Sequence, residues 1–540
     1  MGFQYSSILL LIWIAAVCAA RTDPNFMEGK TTVVHLFEWK WTDIVRECEE
    51  YLGPHEFAGV QVSPPMEHRV YPDGDVPYPW WQRYQPVSYK IESRSGTREQ
   101  FADMVTRCNA AGVRVYVDAI VNHMAAVTTL DNSTYTFPDV PYSQEDFNVP
   151  KGLCNISTGE ILSTSYVGSS YEVRYCNLLA LADIYYGPDN DYYGRTKVVE
   201  YLNDLISLGV AGFRIDAAKH MLPSDLAGIL DLLDDCTFGG RPWIYNEVIG
   251  VDDNEAIHVD EYYECGDVTE FKYCNEIAQF GRGTKAAAEY VDFGFDDKWT
   301  FMPSESAVVF VENHDNQRGH GAGGTILAFQ EPLPYKKAVA FTLAWNYGTT
   351  RLMSSYEFEN TDQGPPSDDN GVIDDVIIND RGTCDGGWVC EHRWQEIRNM
   401  VCFRNIAEGE AVENWWDNGE NAIAFSRGDK GFFALNNEEF TVNEVLQTGL
   451  PQGTYCDIIS GDTTVDGCSG LSVEVNADGT AAIMIVPSGR EGNDAMIALT
   501  REATSGRGLY EGCLFVSGAG TRLVANSTWI SMILVLLLLK

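Results

Sequence analysis

Between about residues 30 and 409, short β-branched runs alternate with stretches of helical periodicity. Residues 31–36 pattern as a strand, 41–51 as an amphipathic helix, 59–62 as a second strand, 97–111 as a second helix and 113–118 as a third strand. This βαβα rhythm predicts a parallel sheet with helices outside. Its length, and the polar residues that recur at strand C-termini, favour a (β/α)₈ barrel over a doubly wound sheet. No glycine-rich phosphate fingerprint follows an early strand, so a nucleotide fold gains nothing.

Residues 124–190 break the rhythm. They are rich in Ser, Thr, Tyr, Pro and Asn and hold the sequons at Asn132 and Asn155, which mark a surface. An irregular insertion packed over the barrel mouth is expected. After about residue 410 the pattern changes to strands with tight turns. Runs 422–425 and 432–435 flank Arg427-Gly428-Asp429-Lys430-Gly431, a hairpin, and an antiparallel β-domain continues to about 503. The expected division is a barrel over 21–123 and 191–409, an insertion over 124–190, a β-sandwich over 410–503 and a tail over 504–540.

The ends have their own patterns. Residues 8–17 are an apolar run too short to span a bilayer, followed by small Ala19 and Ala20, so 1–20 pattern as a secretory signal. Met1-Gly2 with Ser6 also fits a myristoylation pattern, but the apolar run behind it implies export. At the other end, small residues 517–520, a polar spacer and the apolar segment 530–539 have the parts of a GPI-anchor signal. The expected location is extracellular, held at the cell surface by a lipid anchor. Fourteen cysteines agree with export, and Cys384/Cys390 and Cys456/Cys468 have the spacing of stapled loops.

Composition adds an exclusion. Of 540 residues, 37 are Lys or Arg and 78 Asp or Glu, a net charge of −41. Such an envelope repels polyphosphate and anionic membrane surfaces, so a nucleic-acid partner is not expected.

Four strand ends carry chemistry. In Gly212-Phe-Arg-Ile-Asp216, alternation puts Arg214 and Asp216 on the inner face, where the guanidinium is expected to favour the ionised carboxylate. Residues 243–247 end in Glu247, 308–315 deliver Asn313 and Asp315, and Asp118 closes the third strand ahead of Asn122 and His123. Carboxylates converging at a barrel rim, without zinc-type His spacing or a Ser–His elbow, point to glycoside chemistry. Trp80, Trp81, Tyr84 and Gln85 supply flat apolar faces and a hydrogen-bonding edge suited to a sugar.

The motifs Asp118-Ala-Ile-Val-Asn-His123, Gly212-Phe-Arg-Ile-Asp-Ala-Ala-Lys-His220, Asn246-Glu247-Val248 and Phe310-Val-Glu-Asn-His-Asp-Asn-Gln-Arg-Gly-His-Gly-Ala-Gly-Gly324 resemble the chloride-dependent, animal-type α-amylases. Val34-His-Leu-Phe-Glu-Trp39, Gly59-Val-Gln-Val-Ser-Pro-Pro65 and the run 80–89 extend the likeness from about residue 24 to 503. The resemblance implies retaining, endo-acting hydrolysis of α-1,4-glucosidic bonds in starch- or glycogen-type glucans by a monomer. It makes Asp216 the nucleophile, Glu247 the general acid/base and Asp315 the third carboxylate. It assigns His123, His220 and His314 to sugar hydroxyls, and Trp80, Trp81, Tyr84, Gln85, Lys219 and His320 to the substrate cleft. It implies one Ca²⁺, held by the Asn122 and Asp183 side chains and the Arg174 and His220 carbonyls. It also implies one activating chloride between Arg214, Asn313 and Arg351.

By the same resemblance, Cys48–Cys108, Cys154–Cys176, Cys384–Cys390 and Cys456–Cys468 are bridged, while a further bridge common in vertebrate members lacks both cysteines. Cys236, Cys265, Cys274, Cys402 and Cys513 are additional. Cys265 and Cys274 are open to pairing, and Cys402 patterns as a buried thiol in an apolar helix. Two rival functions remain: an exo-acting α-glucosidase of the same clan, and a non-catalytic cell-surface sugar-binding or chaperone protein. The latter class loses the carboxylates that this chain keeps at Asp216, Glu247 and Asp315.

Overall fold

The computed structural model describes residues 21–126, 139–322, 324–464, 466–489 and 493–505. The leader, Asn132, Cys513 and the anchor-like tail lie outside the described residues.

Eight parallel strands close into a barrel: β1 (Thr32–Leu36), β2 (Gly59–Val62), β3 (Arg114–Ala119), β4 (Gly212–Ile215), β5 (Trp243–Asn246), β6 (Asp267–Thr269), β7 (Ala307–Val309) and β8 (Thr349–Ser354). They are ordered β1-β8-β7-β6-β5-β4-β3-β2 around the ring. Helices α1 (Trp41–Glu47), α2 (Arg98–Ala110), α3 (Tyr193–Ser207), α4 (Pro223–Leu230), α5 (Phe271–Arg282), α6 (Pro332–Ala344) and α7 (Gln395–Ile406) surround it. After β5 the helical place is taken by a 3₁₀ turn, Val259–Cys265.

Local sequence explains the helix starts. Thr97 caps α2 reciprocally with Gln100: the Gln100 amide donates to Thr97 Oγ1 (3.4 Å), and the Thr97 amide donates to Gln100 Oε1 (3.0 Å). The helix expected over 41–51 is α-helical only to Glu47 and continues as a wider π turn, Cys48–Leu52. That turn starts at Cys48, whose sulfur is bridged to Cys108 of α2 (S–S 2.07 Å). Fully buried Glu47 accepts from Arg393 Nε (2.7 Å) and contacts His392 Nε2 (2.7 Å), so α1 locks the segment ahead of α7 and closes the ring.

The excursion after β3 returns through an antiparallel pairing of His123–Ala126 with Leu181–Asp183, and Cys154–Cys176 staples it. The C-terminal region holds two four-stranded antiparallel sheets. One is β9 (Val412–Asp417), β10 (Ala422–Arg427), β11 (Gly431–Asn436) and β16 (Met496–Thr500). The other runs β12 (Val442–Gln447), β15 (Thr480–Ile485), β14 (Ser472–Val475), β13 (Gly453–Cys456). Strand alternation gives the first sheet two buried faces. Ala424, Phe432 and Ala434 pack toward Leu446 and Ile483 of the second sheet. Phe425 meets Trp345 (5.3 Å between rings) and Phe341 (6.1 Å) on the barrel side.

Cys384–Cys390 and Cys456–Cys468 are also bridged. One open cysteine pairing is decided and one cysteine expectation fails. Cys265 and Cys274 do not join, because their sulfurs face different carbonyls, Pro223 and Phe310 (3.4 Å each). Cys402 is disulfide-bonded, not a thiol. Among the described residues, no helix is long and apolar enough to cross a membrane.

Candidate active site

The barrel brings the strand-end residues together. The registers pair Asp118 with Arg214 and Arg214 with Tyr245, so β3, β4 and β5 place their C-terminal polar groups at one level. Arg214 Nη1 donates to Asp118 Oδ1 (2.6 Å) and Asp216 Oδ1 (2.9 Å), and Nη2 donates to Glu247. Asp315 Oδ2 stands 4.0 Å from the same guanidinium. The Ala217 amide donates to the other Glu247 oxygen (3.0 Å), and Ala217 takes a left-handed conformation (φ 50°) to do so. Tyr84 Oη donates to Asp118 (2.9 Å), so that carboxylate is fully engaged in holding the site.

Arg214 favours the ionised form of Asp216, as expected, but does not prevail. Burial pushes the Asp216 pKa well up, Arg214 opposes this, and Glu247, Asp118 and Asp315 add repulsion. One guanidinium shared among several carboxylates does not offset desolvation together with mutual repulsion. Asp315 is pushed up to about 7, by burial first and then by Glu247.

Asp216, Glu247 and Asp315 open into a cleft of about 780 Å³ lined also by Trp80, Trp81, Tyr84, Gln85, His123, Lys219, His220 and His320. Trp80 is fixed by its Nε1–H to the Thr361 carbonyl (2.8 Å), and Gln85 Oε1 accepts from Tyr71 Oη (2.9 Å). His123 Nε2 meets the Tyr84 carbonyl (3.0 Å), and His220 Nδ1 the Val173 carbonyl (3.0 Å). His314 sits one layer back: it is fully buried, stacks on Tyr84 (5.2 Å) and places Nε2 3.2 Å from Asp315. Its contact is therefore the third carboxylate.

Sequence reasoning missed part of the wall. Lys219 is paired with Glu255 and donates to the Ile249 carbonyl (2.5 Å); Glu255, Ile249, Tyr166 and Leu178 through Leu181 line the cleft except Ala180. Glu255 lies in Asp252-Asp253-Asn254-Glu255, which reads as a solvated acidic run, and only the fold brings it to Lys219.

Asn122, Asp183, Arg174 and His220 line one smaller pocket of about 370 Å³. Asp183 is buried, its pKa is pushed well up by desolvation, and its side chain is bonded by Asn148. Asn148 Oδ1 is also buried without a partner among the described residues. Among those residues no cluster of three His, Cys, Asp or Glu forms, so this donor set is one carboxylate with amide and carbonyl oxygens. Such a set fits a hard cation.

Deeper in the barrel, Arg351 donates to Gln61 Oε1 (3.0 Å) and lies over the Phe310 ring (4.6 Å). It forms no ion pair among the described residues, and burial, with Arg214 adding repulsion, lowers its pKa. Gln61 Nε2 is a buried donor without a partner there. Asn313 Oδ1 accepts from the Asp315 (3.1 Å) and Asn316 (2.8 Å) amides. Uncompensated positive charge beside an unused donor fits a small anion.

Carboxylates gathered at the C-terminal rim of a (β/α)₈ barrel, within an open cleft walled by aromatic rings, define a glycoside hydrolase class. The model for "Alpha amylase, catalytic domain" matches residues 80–250, and "Alpha amylase, C-terminal all-beta domain" matches 414–492. The pancreatic alpha-amylase of Sus scrofa is 47% identical over 524 residues, covering 92% of this chain and 99% of its own. Alpha-amylase 2B of Homo sapiens is 46% identical, with the same coverage of 92% and 99%. The structure of wild-type alpha-amylase I from Eisenia fetida superposes with a TM-score of 0.81 at 44% identity, covering 89% of this chain and 99% of that one. The chain belongs to the α-amylase family.

Proposed function

We propose that this chain is an endo-acting α-amylase that hydrolyses internal α-1,4-glucosidic bonds of starch- or glycogen-type glucans with retention. The observation that carries this reading is the single guanidinium of Arg214 serving Asp216 and Glu247 at the ends of neighbouring strands in the open cleft. Glu247 gives its proton to the leaving glycosidic oxygen while Asp216 attacks the anomeric carbon. Glu247 then takes a proton from the water that releases the glycosyl group. Asp315, with His314 behind it, binds ring hydroxyls of the distorted sugar. His123, His220, His320 and Lys219 extend the polar contacts, and Trp80, Trp81, Tyr84 and Gln85 form the platform.

Asn122 and Asp183, with the Arg174 and His220 carbonyls, would hold a Ca²⁺, which would tie the excursion to the barrel. Arg214, Asn313 and Arg351 would hold a chloride, which would supply negative charge beside the buried guanidinium of Arg351. The proposed units are the barrel (21–123, 191–409), the insertion (124–190) and the β-domain (410–503), in a secreted monomer glycosylated at Asn132 and Asn155. The tail beyond 503 carries a GPI-anchor signal.

A reducing-sugar assay on starch, with Asp216→Asn as control, tests the reading: turnover in the wild type and its loss in the variant are expected. Glucose as the sole early product points instead to an exo-acting enzyme, and absent turnover to a binding protein. Release from cell membranes by phosphatidylinositol-specific phospholipase C tests the anchor; retention after complete digestion removes it.

A further inference from the structure

The aromatic platform of the cleft conceals a charged side chain. Residues Trp80–Tyr84 form a 3₁₀ turn. Trp80, Trp81, Tyr84 and Gln85 line the cleft, whereas Gln82 and Arg83 turn inward and are fully buried. The Arg83 guanidinium is engaged in three directions. Nε donates to the Pro64 carbonyl (2.8 Å), Nη1 to Glu38 Oε2 (3.0 Å) and Nη2 to Ser93 Oγ (3.1 Å). Glu38 follows β1, Pro64 follows β2 and Ser93 precedes α2. A planar fork tied at three such points keeps one position and one tilt.

Glu38 is held in turn. Its amide donates to Ser63 Oγ (2.9 Å), and its backbone is left-handed (φ 66°), a conformation unfavourable to a residue with a side chain. Both side chains of the pair are 0% exposed, and Glu38 Oε1 is buried without a hydrogen-bond partner among the described residues. Burying two charges while leaving one carboxylate oxygen unmatched adds little stability, because desolvation offsets the attraction. A strained backbone around such a pair points to fixed geometry as its use. What Arg83 fixes is joined directly to the catalytic carboxylates. The next residue is Tyr84, whose Oη donates to Asp118 (2.9 Å) and whose ring stacks on His314 (5.2 Å), behind Asp315. At the other end of the turn, the Trp80 amide donates to the Asp362 carbonyl (3.3 Å) and its indole to the Thr361 carbonyl (2.8 Å).

We propose that the Glu38–Arg83 ion pair is a positioning element for substrate: it sets the Trp80–Gln85 platform against Asp216, Glu247 and Asp315, and so selects which bond of a bound glucan reaches them. This role rests on the α-amylase reading above. Neither Glu38 nor Arg83 lines the cleft, so both act through the platform residues. The barrel ends after β1 and β2 carry the anchors, and the catalytic carboxylates follow other strands of the same barrel. The pair therefore refers the sugar-binding surface to the frame that holds Asp216 and Glu247. Without it, the platform moves relative to the carboxylates, and the glucan is held in a register that offers them a different bond.

The test uses the full-length protein and maltoheptaose labelled at its reducing end, scored for kcat, KM and the frequency of cleavage at each bond, with thermal melts alongside. In Glu38→Gln and Arg83→Met, cleavage is expected to shift to other bonds while kcat/KM falls by about 10–100-fold, chiefly through KM. Arg83→Lys keeps the charge but not the fork, and is expected to fall between them and the wild type. Glu47→Gln serves as the control. It breaks a buried pair between α1 and the segment ahead of α7, and is expected to melt lower while keeping the wild-type cleavage pattern. If Glu38→Gln and Arg83→Lys melt lower but cleave as the wild type does, the pair is only structural and the proposal is overturned. Should Arg83→Met fail to fold, the isosteric Glu38→Gln carries the same comparison. A wild type that cleaves no bond overturns the α-amylase reading and this role with it, whereas wild-type cleavage with unshifted variants overturns the role alone.

Discussion

Arg214 stands 2.9 Å from Asp216 with the same nitrogen that serves Asp118, and gives its other nitrogen to Glu247. Removing it leaves buried carboxylates without their common counter-charge. Arg214→Gln is expected to lower kcat by about 10²–10³-fold. The same change is expected to lower stability by about 3–5 kcal/mol, as for a broken buried ion pair. Starch hydrolysis rates and urea unfolding of the variant check both effects.

Arg351 is a buried guanidinium that donates to Gln61 and pairs with no carboxylate among the described residues. Exchanging chloride for a larger, weakly binding anion is expected to lower kcat by about tenfold or more, equivalent to about 1.4 kcal/mol of barrier. Arg351→Gln is expected to flatten that dependence. Rates across a chloride titration decide the matter; an unchanged rate in chloride-free buffer removes the site.

Asp315 is pushed up to about 7 by burial and by Glu247. If its ionised form grips the sugar, kcat/KM on short maltooligosaccharides falls as pH drops through about 7 and the carboxyl takes up its proton. Asp315→Asn should lower activity and abolish that limb. A pH–rate profile that keeps the same limb in the variant contradicts the assignment.

Burial works to raise the Glu47 pKa, but His392 and Arg393 hold it down to about 2, below its ordinary 4.5. A depressed carboxylate contributes stability that is complete above the unfolded pKa and is lost as pH falls through the folded one. Glu47→Gln should therefore destabilise by about 3–5 kcal/mol at pH 6. The gap should narrow as pH falls from 4.5 toward 2. Denaturant melts of both proteins at several pH values measure it.

Asp183 is a buried carboxylate bonded by Asn148 and aimed into the pocket with Asn122 and His220. Chelation is expected to lower the melting temperature of the wild type, with Ca²⁺ restoring it. Asp183→Asn should melt low with or without chelator. Equal shifts in both proteins argue against this donor set.

What could be read from the chain was periodic or contiguous. The βαβα rhythm follows from alternation with period two against period 3.6, and the same alternation puts Arg214 and Asp216 on one face. Contiguous motifs at strand ends mark Asp118, Glu247 and Asp315 as rim residues, because a parallel barrel sends every strand's C-terminus to one side. The hairpin at 427–431 was legible from its turn chemistry.

What tertiary structure decided was energetic or long-range. Alternation places Arg214 beside Asp216 but does not reveal that Asp118 and Glu247 share it, and that sharing is why burial prevails over attraction at Asp216. Glu255 becomes part of the cleft only when folding carries an acidic run against Lys219, 36 residues away. His314 moves behind the wall because its ring stacks on Tyr84, 230 residues earlier. The apolar setting of Cys402 suggested a buried thiol, whereas the folded chain holds it in a disulfide. Periodicity and motif spacing are properties of neighbours along the chain, whereas desolvation, charge sharing and cross-linking are set by neighbours in space.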